Sequence, residues 1–339
     1  MYNAAESAGS TGALLLPFLI IGIILIVLLA LTLIVSFVCF FLIFYSTKSS
    51  RMEKEEYPTP KGAEYDPYRE QMIAWIKEIR AMPHKDVSVK SYDGLTLRGK
   101  YFEYKKGAPI EILFHGYRGS SERDMSGGVH RCHALGRSAL IVDQRAMGRS
   151  DGHVITFGSK EKLDVKTWVD FVINEIDCNA KIIITGISMG AATVMEAATC
   201  DLPENVVGVL ADCGYTSTRD IIKKVMRDIK LPADMLYPFV RLGALIFGGF
   251  DPDASSPIES MKKCSLPVIF YHGDEDDFVP CYMSEQNYEA CAAEHKRLVI
   301  TAGAGHGLCF PRDRHGYYIA LDEFFRPILQ ASATQTPKK

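Results

Sequence analysis

No charged residue interrupts the chain from Leu14 to Tyr45, and the run Leu16 to Phe44 is almost wholly Leu, Ile, Val and Phe. About 20 such residues cross the hydrocarbon core of a bilayer, so the pattern predicts a transmembrane helix with tilt or excess length. A cleaved signal peptide would carry a basic start and an apolar core of about 7 to 15 residues, and this segment has neither. Beyond it the pattern becomes that of a folded domain. Tyr57-Pro58-Thr59-Pro60-Lys61-Gly62 reads as a linker. Tyr65, Tyr68, Met72, Trp75, Ile76, Ile79 and Met82 then recur at spacings of three and four, which predicts an amphipathic helix packed on the domain. Val87 to Tyr92, the turn Asp93-Gly94, and Leu95 to Tyr104 predict an antiparallel hairpin.

Short apolar runs follow at 110–114, 139–142, 181–185, 206–211, 267–272 and 297–301. Helix-compatible stretches alternate with them at about 121–136, 158–176, 188–199, 283–294 and 316–327. Strand and helix in alternation predict a mostly parallel sheet with helices on both faces. The interval 215–261 is too long for a simple crossover. It holds an amphipathic run (Ile221, Ile222, Val225, Met226, Ile229) and an apolar one around Met235, Leu236, Phe239, Val240, Leu245, Ile246 and Phe247.

Charge and composition add orientation and exclude a partner. The chain has 339 residues, 47% of them hydrophobic and 23% charged, with a formal net charge of −3. Nothing in this balance predicts nucleic-acid binding. No Lys or Arg precedes the apolar segment, whereas Lys48, Arg51, Lys54 and Lys61 follow it, so the positive-inside rule places the large domain on the cytoplasmic face. A domain tethered outside by the same helix is the alternative. Eight cysteines lie beyond the apolar segment without a framework spacing, as expected of reduced thiols in a large core. Arg219, Lys223, Lys224, Arg227 and Lys230 read as a solvated face, with anionic lipid as the alternative contact.

The candidate chemistry begins at Gly186-Ile187-Ser188-Met189-Gly190, placed between the strand 181–185 and a small-residue helix. A serine hydroxyl is a poor nucleophile unless a sharp turn holds it out of the sheet, beside a base and facing backbone donors. The base needs a carboxylate to fix its tautomer and stabilise the imidazolium. Downstream, strand 267–272 runs into Gly273-Asp274-Glu275-Asp276-Asp277-Phe278-Val279-Pro280, which offers four acids at a strand's C-terminal end. Strand 297–301 leads into Ala302-Gly303-Ala304-Gly305-His306-Gly307, where glycines let His306 approach the serine. His130 and His133 sit three apart, but no third ligand is spaced to complete a metal site. No G-x-x-x-x-G-K-[ST] or dinucleotide fingerprint is present, and no cofactor or metal is expected.

These motifs resemble the α/β-hydrolase superfamily over roughly residues 87 to 327. The superfamily pattern H-G-x-x-D-x-x-V-P is matched by His272, Gly273, Asp276, Val279 and Pro280, which selects Asp276 as the acid over Asp274, Glu275 and Asp277. His115-Gly116-Tyr117-Arg118-Gly119 resembles the H-G-x-x-G loop, which implies the backbone N–H groups of Tyr117 and Met189 as oxyanion donors. Asp143 to Gly152 resembles D-x-R-G-x-G-x-S-x-G, with Ala146 where glycine is usual. The resemblance implies an α/β-hydrolase fold with a small helical lid at about 215–261, and the apolar run places one transmembrane helix ahead of it. The expected organisation is a tail (1–13), a transmembrane helix (14–45), a linker (46–64), the hydrolase domain (65–330) and a C-terminal tail (331–339). The expected function is a membrane-anchored serine hydrolase with the triad Ser188, His306 and Asp276, acting on a small-molecule or lipid-like acyl ester or thioester. A peptidase of the serine aminopeptidase or prolyl oligopeptidase type is the alternative, and a catalytically silent binding module is a third reading.

Overall fold

The computed structural model describes residues 6–51 and 54–331, so residues 1–5 and 332–339 of the two expected tails, and Met52 and Glu53 of the linker, lie outside it. A long helix α1 (Glu6–Ile43) opens the chain. It starts at Glu6, ahead of the apolar run. Residues Leu16 to Ile43 form its apolar part, with the length and composition of a single membrane span.

An eight-stranded sheet follows, in the order β1-β2-β4-β3-β5-β6-β7-β8. The strands are β1 (Lys85–Lys90), β2 (Thr96–Phe102), β3 (Ile110–Phe114), β4 (Ser138–Asp143), β5 (Ile182–Ile187), β6 (Val206–Asp212), β7 (Val268–Gly273) and β8 (Lys296–Thr301). β1 and β2 pair antiparallel, β2 pairs antiparallel with β4, and the rest are parallel. β3, β4 and β7 are buried at every position, as expected of strands covered on both faces. The covering helices are α2 (Arg69–Ala81), α3 (Ser121–Ala134), α4 (Glu161–Phe171), α5 (Met189–Ala197), α6 (Thr218–Asp228), α7 (Ala233–Gly243), α8 (Tyr282–Ala290) and α9 (Arg314–Ala331). Met72, Trp75, Ile76 and Ile79 are the buried stripe of α2, so its amphipathic pattern does pack on the domain. This is the α/β-hydrolase fold, with helices around a mostly parallel sheet and one apolar helix ahead of it.

Two charged clusters brace the sheet from inside. Glu111 is fully buried on β3 between the guanidinium groups of Arg131 and Arg137. Burial opposes its ionisation, and those two positive charges outweigh the penalty and hold its carboxyl below the usual range. Arg145 pairs with Asp164 at 2.6 Å and with Asp93 at 2.9 Å. That clamp holds the β4 turn, where Ala146 adopts the left-handed φ of 60° in place of the usual glycine.

The insertion between β6 and β7 carries α6 and α7. It does not wall the cavity above the strand ends. Instead it receives α1: Ser36, Phe40 and Phe44 are buried, at successive spacings of four. Phe40 and Phe44 belong with Val240, Ala244 and Phe250 to one apolar cluster.

Candidate active site

Every expected site residue lies at the C-terminal ends of the parallel strands, the edge where a doubly covered sheet leaves its loops free. Ser188 follows β5 with φ 56° and ψ −118°. Such a backbone is costly for a residue with a side chain and persists only where the surroundings impose it. The flanking glycines show how. A methyl group at Gly186 would lie 2.1 Å from the Gly190 carbonyl, and one at Gly190 would lie 2.0 Å from the Phe114 carbonyl oxygen. The turn therefore closes tightly enough to present the hydroxyl above the sheet while α5 starts at once behind it.

His306 Nε2 lies 2.9 Å from Ser188 Oγ, and His306 Nδ1 lies 2.7 Å from Asp276 Oδ2. The other carboxylate oxygen of Asp276 accepts the backbone N–H of Phe278 at 3.0 Å and of Val279 at 2.8 Å. Burial pushes the Asp276 carboxyl up, but hydrogen bonds from His272 and His306 more than offset this and hold it well below the usual carboxylate range. His272 bridges Ser284 Oγ at 2.6 Å and the Val279 carbonyl at 2.8 Å, so it orders the acid loop. Asp274 instead accepts the backbone N–H of Gly303 at 2.7 Å.

The β3 loop reaches the same point. A methyl at Gly116 would lie 3.5 Å from Ser188 Cβ, so the residue before Tyr117 closes on the serine. Met189 is the first residue of α5, so its N–H is one of the donors that a helix cannot pair internally. The side chains of this loop do something the sequence did not suggest. Tyr117 Oη donates to the Ile43 carbonyl at 2.6 Å, and Arg118 Nη2 donates to the carbonyls of Leu42 at 2.8 Å and Tyr45 at 3.3 Å. They cap the C-terminus of α1, where four carbonyls lack intrahelical partners and the helix dipole favours a cation.

Ser188 and His306 open onto a cavity of about 850 Å³. One wall is the segment after α1, including Thr47, Ser50, Lys54, Pro58, Thr59 and Tyr65, and no residue of 215–261 lines it. The cover expected from the lid comes from the linker instead. Its inner wall holds Asp212, at the end of β6 and 6% exposed, with Oδ2 accepting Tyr317 Oη at 2.9 Å and Oδ1 without a hydrogen bond. Burial pushes the Asp212 carboxyl up. The strand-end rule that located the acid loop after β7 applies equally to Asp212, so this residue was legible and missed. Cys213 is also closer to the centre than its surroundings in the chain suggest: its sulfur, a carboxylate oxygen of Asp276 and a ring nitrogen of His306 lie within 4.8 Å of one another. Burial drives the Cys213 thiol far up, and His306 and Asp276 are already hydrogen-bonded, so the trio is a poor metal site. His153 stacks on Tyr45 beside the end of α1, away from the hydroxyl.

Fold, elbow and strand-end loops together are those of an α/β-hydrolase, the fold shared by the solved structures this chain resembles. Residues 109–239 match the family model described as serine aminopeptidase, S33. The uncharacterized protein YqkD of Bacillus subtilis is 29% identical over 191 residues, 56% of this chain and 62% of that protein, so the match spans less than two thirds of YqkD. Protein bem46 of Schizosaccharomyces pombe is 24% identical over 290 residues, 84% of this chain and 83% of that protein. Among solved structures, the esterase Pf2001 of Pyrococcus furiosus superposes with a TM-score of 0.60 at 21% identity, covering 74% of this chain and 94% of that one. A likeness at that identity speaks for the fold.

Proposed function

We propose that the protein is a membrane-anchored serine hydrolase that cleaves a carboxylic ester or thioester of an amphiphile. The observation that carries this reading is the hydrogen-bonded series Ser188, His306, Asp276 at the floor of an open cavity. In the reaction, Ser188 Oγ attacks the acyl carbonyl as His306 Nε2 takes its proton. Asp276 keeps His306 Nδ1 protonated and stabilises the imidazolium. The N–H groups of Tyr117 and Met189 receive the oxyanion. His306 then returns the proton to the departing alkoxide or thiolate, and water, activated by the same imidazole, releases the acyl group. The mixed lining of the cavity suits a polar head beside an apolar chain. The basic residues Lys48, Lys54 and Lys61 after α1 favour a cytoplasmic domain.

The test is covalent labelling by a fluorophosphonate, together with hydrolysis of esters of rising acyl length beside a matched aminoacyl amide. Labelling that is lost in Ser188→Ala, with ester rates that grow with chain length, supports the proposal. Absence of labelling in folded protein overturns it. A second reading, cleavage next to a free amine, is favoured by one observation, the unpartnered Asp212 oxygen in the cavity wall. Faster cleavage of the amide, abolished in Asp212→Asn, would establish that reading instead.

A further inference from the structure

The insertion 215–261 does not cover the cavity, yet it carries an unusual density of exposed apolar side chains. Ile229, Leu231 and Met235 at the junction of α6 and α7 are 62%, 42% and 64% exposed, and Leu245, Ile246 and Phe247 after α7 are 44%, 50% and 39% exposed. Each keeps more than a third of its surface open among the described residues. The charges between them are largely paired off: Lys223 and Arg227 meet Asp234, Lys224 meets Asp228 and Arg241 meets Asp251. An apolar patch of this kind on a soluble surface marks a contact site.

The neighbour that says what covers it is α1. Its stripe Ser36, Phe40 and Phe44 docks on α7 at Gly243, where a methyl group would lie 2.2 Å from the Ser36 carbonyl oxygen and 3.1 Å from Phe40 Cβ. The Phe247 ring packs edge-on against Phe37 at 5.2 Å and lies 5.9 Å from Phe40. The segment 245–247 is therefore continuous with the apolar surface of α1 and fixed at the level of its residues 36–41. The apolar part of α1, Leu16–Ile43, is 28 residues long. A hydrocarbon core needs about 20. Counted from Leu16, the core ends near Ser36, and the remaining turns, roughly 12 Å at 1.5 Å per residue, lie along the acyl-to-headgroup boundary.

We infer that the insertion is a second membrane-contacting element, whose residues 229–235 and 245–247 seat in the lipid boundary of the leaflet that α1 leaves. This rests on α1 being the membrane anchor of the proposed function. Two contacts would then hold the domain in one orientation. The cavity wall starts at Thr47, directly after α1, so its mouth would face the same boundary and receive its amphiphile from the leaflet.

Tryptophan quenching tests this with the full chain in phosphatidylcholine–phosphatidylglycerol vesicles containing lipids brominated near the headgroup or near the chain end. The two native tryptophans, Trp75 and Trp168, are 5% and 1% exposed and form a quiet background. Phe247→Trp reports the insertion, Met235→Trp is a second reporter, Ile26→Trp reports the centre of α1, and Ile300→Trp reports the distant β8 surface. Shallow bromines should quench Phe247→Trp and Met235→Trp at least about twofold more than Ile300→Trp, as burial of roughly 5–10 Å into the boundary requires. Deep bromines should quench Ile26→Trp. Quenching of Ile26→Trp with both insertion reporters no more quenched than Ile300→Trp overturns the inference alone, and a concentration-dependent dimer in that case would assign the patch to a second copy. An unquenched Ile26→Trp overturns the anchor, and the inference with it.

Discussion

The strand-end loops and the junction of α1 with the insertion lie on either side of the β3 loop and are held by different forces. At the strand ends, position comes from directed polar contacts. Asp276 is fixed by two backbone N–H donors and two histidines, and left-handed backbone at Ser188, Arg118 and Cys213 marks the loops that are held there. At the junction, position comes from the shape of apolar surfaces, with phenylalanine side chains of α1 against Gly243, Phe247 and Phe250. Directed contacts define one arrangement of protons, which acid–base chemistry requires. Apolar packing sets distance and angle between bodies and is indifferent to protonation. Tyr117 and Arg118 join the two regions, because the loop proposed to contribute an oxyanion donor also caps the helix.

The sharpest break of the first region is Ser188→Ala, which should lower turnover by about 10³ to 10⁶ while leaving the junction and the thermal midpoint nearly unchanged. Near-normal hydrolysis by that variant would remove Ser188 from the mechanism. A polar contact within the second region sharpens the contrast. Glu196 on α5 accepts Ser255 Oγ of the insertion at 2.6 Å, and burial raises its pKa from 4.5 to about 7 despite that bond and the nearby Lys162. A carboxyl that holds its proton better in the fold than in the unfolded chain stabilises less as it ionises. Its contribution should therefore decline as pH rises from about 4.5 to about 7, by up to about 3 kcal/mol. Denaturant melts across that window should show the slope, and Glu196→Gln should flatten it.

Gly243→Val targets the apolar seam itself. Its added carbons meet the α1 backbone, so it should cost about 1–3 kcal/mol of stability. Turnover should fall by less than about tenfold, since no hydrogen bond among Ser188, His306 and Asp276 is touched. A larger loss would show that the two regions are mechanically one. The smallest expected effect is at the joint. Tyr117→Phe removes one hydrogen bond worth about 1 kcal/mol, and should lower kcat a few-fold with KM nearly constant if the α1 end positions the oxyanion loop. A change confined to KM, or to the melting midpoint, would reduce that bond to a structural tie.

What could be read from the chain was local. The apolar run of α1, the elbow glycines, the alternation of strands with helices and the positions of Asp276 and His306 after their strands all depend on neighbours a few residues away. The site required only that β5, β7 and β8 be parallel, since that puts three distant loops at one edge. The insertion illustrates the limit. Its helices were legible from their periodicity, but periodicity says that a face is buried or exposed and not against what. A small helical lid was expected there, and the structure gives some of its apolar residues to α1 and leaves others open.

By itself, then, the sequence determined a hydrolase fold with a nucleophile elbow and an apolar helix in front, because a steric turn, a strand period and a long uncharged run are properties of short segments. Only the tertiary structure decided that the linker rather than the lid walls the cavity, that Asp212 and Cys213 border the centre, and that Tyr117 and Arg118 cap a helix some 74 residues away. Such contacts are chosen by which surfaces fit once the whole chain is packed, and no local pattern encodes the partner.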